Sequence, residues 1–166
     1  MLLTEFDANR QAIINPEALH EPLEGFPKIA VSCFSRLTFQ RMLEMFPHEL
    51  IYETSMANVA IPIYKLVIDD NELAIFNAPV GASACVGILE DIFALGADKL
   101  VLFGTCGVLD EDIKETSIII PSHALRDEGT SFHYVEASDE IAVNVGVLDH
   151  FRSYLNERQI SHKEGK

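Results

Sequence analysis

The chain has 166 residues, of which 48% are hydrophobic and 8% aromatic, enough for a packed core and too apolar for a disordered chain. Its 26 Asp and Glu residues outnumber its 12 Lys and Arg residues, and the formal net charge is −14. A surface of that charge repels nucleic acid and anionic membranes, so both are excluded as partners. The sequence contains neither an apolar run of roughly 18 residues nor a secretory signal pattern, and we therefore expect a cytoplasmic protein.

The first 27 residues show little periodicity and end in a stretch rich in proline and glycine, which predicts an irregular N-terminal arm followed by a single α/β domain over 28–166. Short apolar runs predict strands at 29–34, 50–53, 61–68, 73–76, 100–103 and 117–120. A polar turn at 69–71 makes the middle of the chain hairpin-like.

Apolar residues at helical spacing predict three helices between these strands. Pro47 ends the first helix, Ser83 caps the second, whose end is marked by Gly96, and the third runs from Ile141 to Glu157. The alternation of strands and helices predicts an α/β three-layer sandwich with a central mixed β-sheet flanked by helices. Residues 159–166, QISHKEGK, show no clear strand pattern.

The cysteines Cys33, Cys85 and Cys106 are odd in number and widely spaced, which argues against a disulfide framework. No CxxC or HxxxH spacing indicates a closed zinc site. We therefore expect buried, reduced thiols and no bound metal.

Ligands of open α/β sheets bind beyond the carboxyl ends of strands, which directs attention to the junctions at 32–36 and 103–107. In the turn Gly104-Thr105-Cys106-Gly107 the glycines let the backbone approach a ligand, and the N–H groups with the Thr105 hydroxyl suit an anion or a sugar hydroxyl. The alternative is a turn that uses glycine only for its φ angles.

Arg36 follows the first strand and opens a helix, where its guanidinium and the N-terminal N–H groups suit a phosphate; a surface salt bridge is the alternative. Residues 124–134, ALRDEGTSFHY, form a dense polar and aromatic cluster typical of a loop that binds a ligand or a subunit. A solvated loop with an incidental histidine is the alternative there. Glu90 and Asp91 are adjacent on a helix and point in different directions, so they make a poor acid/base pair, and the catalytic residues stay unknown.

The junction at 32–36, the glycine turn at 103–107 and the 124–134 cluster, taken together and in this order, resemble the nucleoside phosphorylase family of the hexameric purine nucleoside phosphorylase and uridine phosphorylase type. Residues 97–109, ADKLVLFGTCGVL, resemble the strand and glycine turn that end in G-[ST]-[CSA]-G. Residues 124–134 resemble the R-D-E-G-T-S-x-H-Y segment of uridine-phosphorylase-like members. Gly81 and the helix after it resemble a glycine-Pro-Ser helix start from which the proline is absent. The similarity extends over residues 28–157.

The resemblance implies a pentosyltransferase, a glycosyltransferase of nucleotide salvage, that converts a nucleoside and phosphate into free base and pentose 1-phosphate. It implies no cofactor, with inorganic phosphate as co-substrate, and a homo-oligomer, either dimer or hexamer. The 124–134 segment makes the chain more uridine-phosphorylase-like than purine-specific, although base preference itself is left open. A hydrolytic nucleosidase and a truncated, non-catalytic nucleoside-binding or assembly subunit are the alternatives.

The resemblance also implies site residues, position by position. For phosphate these are Ser32, Arg36 and Thr105. For the nucleoside they are Thr105, Cys106, Gly107, Arg126 and His133.

The sequence departs from the family pattern at several of these positions. The Gly-Asp-Pro of the phosphate loop is Ser32-Cys33-Phe34, and Leu102 stands where the family commonly has an arginine. The stretch between Arg41 and Arg126 contains no other arginine. No segment corresponds to the family's C-terminal part, which carries the ribose-holding glutamate. We therefore expect a fold that is incomplete at the C-terminus and a 166-residue chain that is inactive or impaired by itself.

Overall fold

The structure, a computed structural model, describes residues 5–113 and 118–166, which form two compact units. The sheet unit comprises Asn9–Thr105, and the second unit comprises Cys106–Lys166 with a short N-terminal stretch that ends at Ala8. Among the described residues, no helix has the length and apolar character needed to cross a bilayer. The predicted division into an arm of residues 1–27 and a domain of residues 28–166 stays a prediction.

The sheet unit is built on one mixed five-stranded sheet. Its strands, in chain order, are β1 (Ile29–Cys33), β2 (His48–Met56), β3 (Val59–Ile68), β4 (Asn71–Asn77) and β5 (Lys99–Phe103). In space they follow the order β2-β3-β4-β1-β5. Tight turns make β2, β3 and β4 antiparallel, whereas β1 runs parallel to both β4 and β5. The mixed sheet predicted from the hairpin-like middle of the chain is confirmed.

Two helices cover the opposite faces of this sheet, α1 (Arg36–Met45) and α2 (Ala82–Leu95). Successive strand residues point to opposite faces, so each strand contributes to two separate apolar clusters. The α2 face buries Ala30, Ile61, Ile63, Ala74, Phe76, Ile88 and Ile92. The α1 face buries Cys33, Phe39, Leu66 and Ile75. A central mixed sheet flanked by helices, the predicted α/β fold, is therefore the fold of this protein.

The ends of α2 correct one prediction and confirm another. Ser83 is not the cap, because the helix already begins at Ala82, and the capping position is Gly81 with φ of 113°. Gly96 ends the helix with φ of +130°, a conformation that side chains with a Cβ rarely adopt. The Gly96 N–H donates to the carbonyls of Ile92 and Phe93. The Gly96 carbonyl accepts a hydrogen bond from the Lys28 ammonium at 2.9 Å.

The second unit contains two small sheets and one helix. Its strands are β6 (Ile118–Pro121), β7 (His123–Leu125), β8 (Glu140–Ala142) and β9 (His162–Gly165), and its helix is α3 (Val145–Glu157). β6 pairs in parallel with β9, and β7 pairs antiparallel with β8. Ile120, Leu148 and Leu155 form its apolar cluster. The predicted strand at 117–120 is present over its last three residues, and residue 117 lies outside the described residues.

Two predictions in the second unit are wrong. Ile141 lies in β8 rather than in the helix, which begins only at Val145 because the Asn144 side chain caps it by accepting from the Val147 N–H at 3.2 Å. Residues 162–165 form β9 although their sequence is polar. The partner strand supplies their backbone hydrogen bonds, and Glu164 forms an ion pair with Arg152 of α3.

Candidate functional site: two strand ends of the sheet unit

The first junction, where β1 passes into α1, presents an arginine at a helix start. The Ser35 side chain caps α1 by accepting from the Thr38 N–H at 3.2 Å, so the helix begins immediately after the strand. Arg36 is the first helical residue and is exposed. Throughout residues 5–113 and 118–166, no ion pair involves Arg36, and the surface salt bridge considered as its alternative role is not formed there.

Ser32, the position before the end of β1, is buried and fully engaged with the neighbouring strand. Its hydroxyl donates to the Phe76 carbonyl at 2.8 Å and accepts from the Ala78 N–H at 2.9 Å, and the residue is only 1% exposed. These bonds fasten the end of β1 to the end of β4. In the structure the Ser32 side chain therefore connects two strand ends. A contact between Ser32 and phosphate stays a prediction.

Asn77, the last residue of β4, is a polar residue of this region that the sequence reasoning missed. Its side-chain amide donates to the Cys33 carbonyl at 2.6 Å, which adds a second tie between the ends of β1 and β4. The signal in the sequence is a single asparagine directly after a buried apolar run. With Ser32, it holds the backbone at the carboxyl end of β1 in a defined position.

The second junction, at the end of β5, lies beside the first. β1 and β5 are adjacent parallel strands with Cys33 opposite Phe103, so the residues that follow them leave the sheet at the same edge. Gly104 and Thr105 therefore follow β5 at the edge of the sheet where Ser35 and Arg36 follow β1, as expected for ligand sites at the carboxyl ends of parallel strands. Thr105 is exposed, and within the described parts of the chain no hydrogen bond of its hydroxyl is found.

The two junctions touch through an aromatic ring and a glycine. A Cβ built on Gly104 would stand 3.1 Å from Cδ2 of Phe34, closer than nine in ten real contacts of that kind. A side chain at residue 104 would therefore require the Phe34 ring to shift by a few tenths of an ångström, while the φ of Gly104 lies outside the range that only glycine favours. Phe34 was not among the predicted site residues, because an apolar residue at a strand end carries no chemical signal in the sequence.

Cys106, Gly107, Arg126 and His133, the remaining predicted site residues, belong to the second unit. Arg126 is only 7% exposed and lies over the Phe132 ring, 4.1 Å from its centroid. Its guanidinium donates to the hydroxyls of Ser131 and Ser138, both at 2.9 Å, and to the carbonyls of residues 135 and 136. Arg126 thus holds together the loop that contains His133, which is itself exposed at the end of a short 3-10 turn.

A cavity of about 440 Å³ opens beside Arg126 in the second unit and is lined by Leu125, Arg126, Asp127, Phe132, Ala137, Ser138 and Asp139. The lining includes one arginine and two aspartates, and Phe132 adds an aromatic side chain. The cavity combines apolar and polar lining, as ligand sites generally do. The role of these residues in nucleoside binding stays a prediction.

Burial or hydrogen bonding shifts the pKa of titratable groups in both units. Burial raises the pKa of the Cys33 and Cys85 thiols, which favours the uncharged form, whereas Cys106 is exposed, contrary to the expectation of three buried thiols. Hydrogen bonds from Ser131, led by its side chain, lower the pKa of the Glu128 carboxyl. Among the described residues, no group of three or more His, Cys, Asp or Glu side chains is arranged to hold a metal ion.

The arrangement defines a protein of the nucleoside phosphorylase-like α/β class, in which a mixed sheet is flanked by helices and adjacent parallel strands end at one edge. A family model of the Phosphorylase superfamily matches residues 28–166. The chain therefore belongs to the Phosphorylase superfamily.

Individual relatives agree with this assignment. A guanosine phosphorylase of Halorubrum lacusprofundi is 28% identical over 74 residues, which cover 43% of this chain and 31% of the relative. The crystal structure of uridine phosphorylase from Vibrio fischeri superposes with a TM-score of 0.74 at 18% identity, covering 93% of this chain and 64% of that one. At these coverages the chain spans less than two thirds of the length of either relative.

A nucleosidase of the same fold is also similar. The structure of the 5′-methylthioadenosine/S-adenosylhomocysteine nucleosidase from Helicobacter pylori superposes with a TM-score of 0.66 at 21% identity, covering 86% of this chain and 63% of that one. At such identities the structural likeness establishes the fold alone.

Proposed function

We propose that this protein is a nucleoside phosphorylase-like pentosyltransferase that converts a nucleoside and inorganic phosphate into free base and pentose 1-phosphate. The observation that carries the proposal is the position of Arg36 and Thr105 after neighbouring parallel strands, in a chain of the Phosphorylase superfamily. No cofactor is needed, since phosphate is itself the co-substrate.

The reaction is a substitution at C1′ of the sugar. An oxygen of hydrogen phosphate forms a bond to C1′ while the N-glycosidic bond breaks, and its electron pair leaves with the base. The proton of hydrogen phosphate is transferred to the base, directly or through water, so that the charge balances. Because the sugar acquires positive charge on the way, an anion held beneath C1′ stabilises the transition state.

Arg36 and Thr105 have the chemistry for the phosphate end of this reaction. A guanidinium offers two parallel N–H groups to two phosphate oxygens, and the start of α1 adds the positive end of the helix dipole. The Thr105 hydroxyl would donate to phosphate or to a ribose hydroxyl. Because the chain has a formal net charge of −14, phosphate binding requires a local positive charge, which Arg36 supplies.

For the nucleoside we propose contacts from the backbone at Cys106 and Gly107 and from the side chain of His133. Arg126 would act there through the loop that it holds, since its guanidinium N–H groups already bond to that loop. The 124–134 segment favours a uridine-like substrate, and we further propose a homo-oligomeric, cytoplasmic enzyme.

The test measures release of base from a nucleoside panel, uridine, inosine and guanosine, with and without phosphate, using the protein as the cell makes it. Phosphorolysis requires phosphate-dependent release and formation of pentose 1-phosphate. Arg36→Ala should raise KM for phosphate about tenfold or more, since a charge-assisted hydrogen bond contributes roughly 1.5–3 kcal/mol. Arg41→Ala is the matched control, because Arg41 is an exposed arginine of the same helix and should leave KM unchanged.

Hydrolysis is the second candidate, favoured by Leu102 and by Ser32-Cys33-Phe34 at positions where the family has phosphate-binding residues. A hydrolytic nucleosidase would release base equally well without phosphate and yield free pentose. A nucleoside-binding or assembly subunit would bind nucleoside in a calorimeter, or form an oligomer, without any turnover. Each outcome is distinct in the same set of measurements.

A further inference from the structure

Phe34 occupies an unusual position for a large apolar side chain. It follows the last residue of β1, is 38% exposed, and belongs to neither of the two apolar clusters described for the sheet unit. Core packing therefore does not account for a phenylalanine at this position.

The ring of Phe34 covers one side of the glycine turn at the end of β5. Its Cδ2 atom lies 3.1 Å from the place where a Cβ of residue 104 would stand, so the ring fills the space that a side chain of residue 104 would use. The residues on both sides are fixed, because Cys33 pairs with Phe103 across the parallel strands and Ser35 caps α1. The backbone on either side of Phe34 is thus defined, and its ring lies against Gly104. Phe34 is two residues along the chain from Arg36, and Gly104 is one residue from Thr105.

A phenyl ring in this position disfavours the binding of a hydrated anion. Phosphate at the turn must exchange its water shell for backbone N–H groups, and an apolar surface beside it supplies no replacement hydrogen bonds. The ring also lies against Gly104, so it takes up space on one side of that residue.

We propose that Phe34 is a specificity-determining residue that restricts access of phosphate to the glycine turn, so that the native site binds phosphate more weakly than its Arg36 and Thr105 would otherwise permit. The inference rests on the proposed function, because it concerns the same phosphate position. It predicts that removing the ring improves phosphate binding, the opposite of what loss of a supporting residue would do.

The experiment measures the Kd for inorganic phosphate by calorimetry and the KM for phosphate by turnover. The proteins compared are the wild type, Phe34→Ala, Phe34→Val, Phe34→Tyr, Arg36→Ala and the double variant Phe34→Ala/Arg36→Ala. We expect Phe34→Ala to tighten phosphate binding by about 3- to 10-fold and Phe34→Val by less, in proportion to the apolar surface removed. Phe34→Tyr keeps the ring and should bind phosphate as the wild type does.

The outcomes separate the inference from the proposed function. Unchanged or weaker phosphate binding in both Phe34→Ala and Phe34→Val overturns the role of Phe34, while Arg36-dependent binding by the wild type would leave the phosphate site intact. Tighter binding by Phe34→Ala that does not depend on Arg36 supports the ring's role and removes Arg36 from the proposed site. Absence of phosphate binding in every protein overturns both. Circular dichroism of each variant, compared with Phe34→Tyr, identifies any variant that has not folded, and Phe34→Val then carries the test.

Discussion

His20 and Asp91 meet between the N-terminal segment and α2, with Nε2 of the imidazole 2.9 Å from Oδ1 of the carboxylate. The second carboxylate oxygen accepts a 2.6 Å hydrogen bond from the hydroxyl of Thr54, a β2 residue that is only 4% exposed. Nδ1 of His20 in turn lies 3.2 Å from the Tyr52 hydroxyl. One carboxylate therefore joins the segment before β1, the edge strand and the helix that covers the sheet.

Removing this carboxylate should destabilise the sheet unit. Asp91→Ala leaves the Thr54 hydroxyl without its acceptor and detaches His20, and an unsatisfied buried polar group costs about 1–3 kcal/mol. Urea denaturation followed by circular dichroism measures the loss. Asp98→Ala is the matched control, since Asp98 is exposed and its side chain has no partner among the described residues. Equal effects of the two substitutions would contradict the role assigned to Asp91.

Two glycines of the α2 region should respond to alanine with opposite signs. Gly96→Ala forces a Cβ residue into φ of +130°, a strained conformation that costs about 1–3 kcal/mol, although the nearest atom, Cβ of Phe26, is at an ordinary 3.5 Å. Gly87→Ala lies inside the helix and should raise the free energy of unfolding by roughly 0.5–1 kcal/mol. Its new Cβ would meet only the flexible end of Met56 at 3.4 Å. Thermal unfolding of both variants tests the prediction. Shifts of the melting temperature in the same direction would refute it.

Arg126→Lys should loosen the 126–138 loop although the charge is kept. An ammonium cannot reproduce the fork that reaches Ser131, Ser138 and two carbonyls, and each lost bond to a charged donor is worth roughly 1.5–3 kcal/mol. Hydrogen exchange of the amides between residues 126 and 138 is the measurement, and faster exchange is expected there. Arg158→Lys is the control: Arg158 also lies over an aromatic ring, 3.8 Å from that of Tyr154, but is exposed. Unchanged exchange in Arg126→Lys would contradict the structural role of Arg126.

Glu128 should make a small, pH-dependent contribution to the stability of the same loop. Hydrogen bonds from the Ser131 side chain and backbone hold the pKa of the Glu128 carboxyl below its ordinary value of 4.5. A carboxyl whose pKa is depressed in the folded state stabilises the fold above its unfolded pKa and loses that effect as the pH falls through the folded pKa. Because the group is near solvent, we expect less than about 1 kcal/mol.

Comparison of the wild type with Glu128→Gln between pH 7 and pH 3 measures this contribution. The wild type should be the more stable at neutral pH, and the difference should disappear below pH 4.5 as Glu128 is protonated. Glu136→Gln, which removes an exposed carboxyl of the same loop, is the matched control. A difference that stays constant across the range would rule out the proposed linkage.

Local sequence signals predicted most of the sheet unit. Apolar runs located its strands to within a few residues, and Gly96 was identified as the end of α2, because strand hydrophobicity and a glycine C-terminus are properties of neighbouring residues. The same logic failed at Ser83, since a serine beside a helix start resembles a cap whether or not the helix has already begun. It failed at Ile141 because one apolar residue fits a short strand and a helix equally well.

The sequence by itself also determined the chemistry available at the candidate site, an arginine at a helix start and a threonine in a glycine turn. The tertiary structure decided which strands precede them, since Arg36 and Thr105 are far apart in the chain and follow neighbouring strands only because β5 pairs with β1 rather than with β2. The tertiary structure also decided that the Ser32 hydroxyl is hydrogen-bonded to the end of β4 and that Phe34 lies against Gly104. The same is true of polar residues 162–165, which form a strand. Each depends on which strands pair and which side chains are buried, and these are long-range outcomes of packing that no local pattern contains.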